Sequence, residues 1–129
     1  MTRGALVFFL VSVICGPAAA DAGDRNYSLT PQKIDDGVYV FWGRQEPTTR
    51  ENGGNIVNTG FIVGTNSVLV VDTGPTQRYA KEMIAAIHNI SELPVQTAVV
   101  THHHPDHSFG IQHFKKNNAA IYMHRNLKT

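Results

Sequence analysis

After a polar lead-in from Asp21 to Pro31, the chain alternates short apolar runs with polar punctuation. Lys33-Ile34-Asp35-Asp36-Gly37-Val38-Tyr39-Val40-Phe41-Trp42 sets an Asp-Gly turn ahead of an aromatic, β-branched run, which predicts an opening hairpin. Gly43 to Gly54 is polar and broken by Pro47 and by Asn52-Gly53-Gly54, so a flexible loop is expected there, either a plain connector or a loop that overhangs a site. Asn55 to Val63 reads as the next strand, with Gly60 marking a bulge or a close backbone approach. Ser67 to Asp72 is nearly continuously apolar and reads as a strand buried on both faces. Ala80, Met83, Ile84, Ile87 and Ile90 then recur at helical spacing, predicting a helix from Gln77 to about Ile90 with Pro75 near its first turn. Thr97 to Thr101 is a short apolar strand again; Ser108 to Lys116 reads as a short helix burying Ile111 and Phe114, ended by Asn117-Asn118; Ala119 to Met123 is a last short strand. The order is a hairpin followed by strand-helix-strand-helix-strand. Open α/β sheets of this kind place their sites at the carboxyl ends of the strands.

The N-terminus follows a different pattern. Met1-Thr2-Arg3 is positive, Leu6 to Ile14 is an apolar core, and Ala18-Ala19-Ala20 offers a small-residue cleavage site, so residues 1–22 read as a secretory signal peptide and residues 23–129 as the mature domain. The apolar run is shorter than the roughly 20 residues of a spanning helix, and Gly16-Pro17 ends it, which argues against a membrane anchor. Cleavage after Ala20 or Ala22 removes Cys15, the single cysteine, leaving a mature protein without thiols, suited to the periplasm or to secretion. The 129 residues carry a formal charge of +1, which fits one small globular domain. The basic residues are scattered, so no nucleic-acid or anionic-membrane footprint is present, and the expected partner is a small-molecule substrate.

Nitrogen and oxygen ligands concentrate in Thr101-His102-His103-His104-Pro105-Asp106-His107-Ser108-Phe109-Gly110. On an extended path His102 and His104 project to the same side while His103 points away, and Pro105 holds His104 extended. Asp106 and His107, where the helix begins, can serve a second ion close to the first. Ligands that are all N and O suit zinc best, with iron or manganese next. His88 is expected at the surface near a helix end, and His113 and His124 are read as structural.

His102-x-His104-x-Asp106-His107, with Val99-Val100-Thr101 before it and Val70-Val71-Asp72-Thr73-Gly74 upstream, resembles the metallo-β-lactamase fold superfamily of metal-dependent hydrolases, from about Gly37 to His124. The resemblance implies an α/β fold, the αββα sandwich, with a mixed sheet, flanking helices and a metal site at one edge. It implies His102 and His104 as ligands of one zinc, Asp106 and His107 as ligands of a second, Asp106 also as the catalytic carboxylate orienting the attacking hydroxide, and Asp72 as an outer residue steadying the loop. The implied chemistry is attack of metal-activated water on an ester, lactone, thioester or lactam-type substrate.

In its motif and in Asn55 to Gly64 the chain is most similar to exported zinc metallohydrolases associated with quinoprotein and sulfur-oxidation systems. Many β-lactamases and glyoxalase-II-like thioesterases have Gly-Gly where this chain has Phe109-Gly110. Superfamily members are roughly twice as long, in line with a two-sheet domain of 200 or more residues. Their second half supplies a further histidine to each metal and usually a bridging aspartate. The chain thus reads as the N-terminal half of such a hydrolase, whose missing C-terminal half would complete the site. The alternatives are a non-catalytic exported metal-binding protein or an inactive fragment.

Overall fold

A computed structural model describes residues 26–127, so the segment read as a signal peptide, with Cys15, lies outside the described residues. The remainder forms one six-stranded sheet in the order β1-β2-β3-β4-β5-β6: β1 (Gln32–Asp35), β2 (Val38–Phe41), β3 (Thr59–Val63), β4 (Val68–Val71), β5 (Val95–Val100) and β6 (Ala120–Met123). The first four strands pair antiparallel, β1 and β2 through the Asp36-Gly37 hairpin turn, β2 and β3 through the long segment 42–58, and β3 and β4 through the short turn 64–67. β4, β5 and β6 pair parallel, each crossover carrying helix: α1 (Gln77–His88) after β4, then α2 (Pro105–Ser108) and α3 (Ile111–Lys116) after β5. The result is the expected mixed sheet with flanking helices.

The helices pack on the sheet face that carries Phe41, Phe61, Val68, Val70 and Ala98, against which Tyr79, Met83, Ile87 and Phe114 are fully buried. Burial of a large apolar side chain is worth about 1.5–3 kcal/mol, so this layer dominates the stability of the domain. The expectation that Ser67 to Asp72 is buried on both faces is corrected: Leu69 and Val71 point away from the helical layer and are only half-buried. On the same outer face Ile62 is 43% and Tyr122 61% exposed.

Helix α1 starts where Thr76 caps it, the hydroxyl accepting a hydrogen bond from Tyr79 N at 3.0 Å. It ends at His88, so Asn89 and Ile90, expected inside the helix, lie beyond it, and Ile90 is 40% exposed. His88 is exposed in the last turn, as expected. Tyr79 takes a core position that the apolar periodicity passed over; its hydroxyl finds a partner in Thr59 Oγ1 at 2.9 Å, which makes a buried phenol tolerable.

Two boundaries differ from those expected. Asn55 to Asn58 is turn rather than strand, because Asn52 Oδ1 accepts from Thr49 N and Gly54 N while Asn58 Oδ1 accepts from Gly43 N, drawing the backbone out of the ladder. Segment 43–58 is thus folded around the buried Asn52 rather than loose. Gly60 pairs in register on both sides, so it marks a close approach, to Tyr39 O, and not a bulge. The single helix expected from Ser108 to Lys116 is broken at Phe109-Gly110, since Gly110 N donates to Gly74 O at 3.0 Å instead of continuing the helix. Among the described residues, no helix is long and apolar enough to cross a membrane.

Candidate metal centre

The parallel pairing Val70↔Ala98 and Val71↔Val99 brings β4 and β5 to the same carboxyl edge, where Asp72 and Thr101 emerge side by side. Asp72 extends the ladder by one bond, its N–H donating to Val99 O at 2.8 Å, and then turns into the left-handed region at φ 60. Left-handed backbone is unusual for a residue with a side chain, and aspartate is among the types that tolerate it. The turn aims a buried carboxylate, 3% exposed, into the site.

That carboxylate organises the histidines. Asp72 Oδ1 accepts from Thr101 N at 2.8 Å, both its oxygens lie 3.0 Å from the donating Thr101 hydroxyl, and Oδ2 lies 2.8 Å from His107 Nδ1. A carboxylate has no proton to offer, so His107 carries its proton on Nδ1 and presents Nε2 as a lone-pair donor. Thr101 spends its one hydroxyl proton on Asp72 and therefore accepts from His102, whose Nδ1 is 3.0 Å away. His102 likewise presents Nε2. An outer carboxylate that fixes the tautomer of a ligating imidazole is the usual second layer of a metal site. Here one carboxylate does so twice, directly for His107 and through Thr101 for His102. Three further bonds fasten the Asp72-Thr73-Gly74 turn to the loop: Thr73 N and Thr73 Oγ1 both donate to His107 O, at 2.8 and 3.0 Å, and Gly110 N donates to Gly74 O.

His104 is extended at φ −62 and ψ 143 ahead of Pro105, as expected, and its Nδ1 lies 3.0 Å from His102 Nε2. Because His102 Nε2 carries the lone pair, His104 Nδ1–H donates this bond; two nitrogens bound tetrahedrally to one ion at 2.0–2.1 Å stand about 3.4 Å apart, so chelation requires release of that proton and an opening of a few tenths of an ångström. Asp106 and His107 follow in α2, with Asp106 Oδ2 3.7 Å from His107 Nε2. The His102 and His107 rings are 3.9 Å apart between centroids, so the two donor pairs form one continuous cluster. Among the described residues, no group of three or more His, Cys, Asp or Glu side chains is arranged to hold an ion. The donor chemistry and the spacing of the His102–His104 pair fit a zinc-like ion; a third converging donor has to come from movement of Asp106 or His107, or from residues other than those described.

The remaining histidines separate from this cluster. His103 is exposed and lines, with His102 and His124, a hollow of about 560 Å³ at the ends of β5 and β6. His113 on α3 has its pKa lowered, first by burial and then by the Lys81 and Lys116 charges. Thr48, Gly53 and Gly54 of segment 43–54 line a groove of about 320 Å³ together with Pro75, the α2 residues Pro105 and Asp106, and Phe109. Thr101 was placed in the ligand-rich stretch and at the end of a strand, but its part as the bridge from Asp72 to His102 was not read from the sequence.

A family profile described as the metallo-beta-lactamase superfamily matches residues 52–128, more than half of the chain. The linear primary-alkylsulfatase of Pseudomonas sp. (strain ATCC 19151) is 33% identical over 54 residues, covering 42% of this chain and 10% of that protein. The crystal structure of a metallo-beta-lactamase from Erythrobacter litoralis with beta-mercaptoethanol in its active site superposes with a TM-score of 0.62 at 21% identity, covering 80% of this chain and 44% of the other. One from Hirschia baltica superposes with a TM-score of 0.63 at 18% identity, covering 77% and 44%. At these identities the two structures are alike in fold. The chain spans less than half the length of any of the three.

Proposed function

The chain belongs to the metallo-beta-lactamase superfamily, and we propose that it contributes the ligand loop of an exported, zinc-dependent hydrolase. His102 and His104 hold one ion, Asp106 and His107 a second, and Asp106 is the catalytic carboxylate. The observation that carries this reading is the Asp72 carboxylate, which fixes the Nδ1 protons of His107 directly and of His102 through Thr101, so that both rings offer Nε2 at the site. Such preorganisation serves metal binding; a merely solvated histidine loop has no use for it.

Bound zinc supplies a Lewis acid and lowers the pKa of water to near neutrality. The chain's own residues do the rest. Asp106, 3.7 Å from His107 Nε2, is placed to accept a proton and orient the nucleophile. The groove between Gly53-Gly54 and Phe109 leads to that carboxylate and bounds the substrate. An ester, lactone, thioester or lactam-type centre fits this chemistry, and the alkylsulfatase likeness supports including a sulfate ester.

A second reading, a metal-binding protein without catalysis, is favoured by the lack of a closed three-donor group among the described residues. Metal stoichiometry of the purified chain, compared with His102→Ala and His104→Ala, tests the shared claim: binding of zinc is expected in the parent and its loss in both variants, and unchanged metal content refutes the site. Chelator-sensitive hydrolysis of 4-nitrophenyl esters, 4-nitrophenyl sulfate, a lactone and a thioester separates the two readings.

A further inference from the structure

We propose that Tyr27 is a positioning residue whose hydroxyl clamps the Gly53 corner of segment 43–58 to the start of α1, and thereby sets the wall of the groove that leads to Asp106. The groove's role as a substrate path rests on the hydrolase reading; the clamp does not.

Tyr27 precedes the sheet, yet it is held at three points far away in the chain. Its backbone N–H donates to Glu82 Oε2 at 2.8 Å, and Glu82 is itself paired with Arg78 at 3.2 Å. Its ring stands edge-on to Tyr79, with centroids 5.1 Å apart and planes at 73°. Its hydroxyl lies 3.0 Å from Gly53 O and 3.1 Å from Thr76 Oγ1. A carbonyl can only accept, so the phenol proton goes to Gly53 O, and the Thr76 hydroxyl donates to the phenol oxygen. Thr76 in turn accepts from Tyr79 N at 3.0 Å. One directed chain of hydrogen bonds thus runs from the α1 N-terminus through Thr76 and Tyr27 to the loop.

The loop end of that chain is also the groove wall. Gly53 and Gly54 line the groove together with Pro105 and Asp106, and a Cβ on Gly54 would meet Pro75 Cβ at 2.9 Å, so the corner sits tight against the turn that follows Asp72. The bonds Arg44 N to Asn55 O and Gly43 N to Asn58 Oδ1 join residues of the segment to one another and not to α1. Release of the phenol leaves Gly53 fastened by bonds internal to the loop, which move with it.

Tyr27→Phe is the test, because it keeps the ring on Tyr79 and the backbone bond to Glu82 while deleting only the hydroxyl. Hydrogen exchange followed by mass spectrometry on the full chain should show the amides of residues 53–55 exchanging roughly tenfold faster, with those of β4 and β5 unchanged. Thr76→Ser, which keeps the bridging hydroxyl, should leave loop exchange at the parent level. Unchanged loop exchange in Tyr27→Phe overturns the clamp, and so does an equal acceleration throughout the sheet, which marks a general stabilising role only. With 4-nitrophenyl butyrate as probe, the variant should raise KM several-fold at constant kcat; equal KM with a loosened loop overturns the groove assignment. Absence of hydrolysis by the parent chain counts against the hydrolase reading, and the exchange measurement still decides the clamp.

Discussion

Asp72→Asn isolates the charge at the centre of the site. Asparagine matches aspartate in shape and also tolerates the left-handed backbone observed at φ 60, so the turn is conserved. Its carbonyl can still accept from Thr101 N, now 2.8 Å from Oδ1. The amide nitrogen, however, then faces His107 Nδ1 at 2.8 Å, and two N–H groups cannot share a hydrogen bond. His107 relieves the conflict by moving its proton to Nε2, which removes the lone pair proposed to bind metal. The charge-assisted bond becomes a neutral one, so stability should fall by about 1 kcal/mol in urea denaturation. Zinc affinity, measured by competition with a chromophoric chelator, should fall roughly 10–100-fold, the usual effect of removing an outer partner. Nitrogen-15 NMR of the imidazoles reports the cause: Nδ1–H on His107 in the parent, Nε2–H in the variant. A folded variant with the switched tautomer and zinc affinity within twofold of the parent would refute the assignment of His107 as a ligand through Nε2.

Two further outcomes follow from the layer beneath the site. Gly74→Ala places a Cβ in the Tyr79 ring at a backbone φ of +81, so it should abolish the cooperative thermal transition or lower its midpoint by well over 10 °C; a midpoint within a few degrees of the parent's would mean that the turn is not packed as described. Burial raises the Tyr79 pKa from 10.0 to about 12, against the lowering effect of its Thr59 hydrogen bond. The folded state therefore favours the neutral phenol, and the resulting stability is complete below pH 10 and is lost as pH rises through about 12. Ultraviolet titration should show a phenol ionising near pH 12 that is missing in Tyr79→Phe.

The order of elements was legible because period and punctuation agree over most of the chain: an Asp-Gly turn before alternating apolar residues gives β1 and β2, and the stripe Ala80, Met83 and Ile87 gives α1. Legibility failed where hydrogen bonds outside the regular ladders redirect the backbone. Asn52 and Asn58 pull residues 55–58 out of a strand that their apolar content predicted, and Gly110 leaves its helix for a carbonyl at Gly74, a partner remote in sequence. At the site, the expected convergence of His102 and His104 is found, although the chain bends at His102 and His103 rather than running extended up to His104. The part played by Thr101 was not legible, because it depends on which strand lies beside β5, and strand neighbours are set by packing rather than by local pattern.

The same dependence explains why the fold and the site are not separable here. Asp72 is a buried carboxylate on strained backbone, both of which cost stability, and neither is tolerated unless the surroundings over-determine them. What offsets them is the set of donors from β5 and the ligand loop: Thr101 N–H, the Thr101 hydroxyl and His107 Nδ1–H. These are also the groups that aim His102 and His107. The β4–β5 seam is therefore held closed at its carboxyl end by the bonds that set the imidazole tautomers, and the nitrogens proposed to bind metal are oriented as a condition of folding. An ion entering such a site has less ordering cost to overcome, and a substitution that loosens the seam should lower metal affinity even where it touches no ligand.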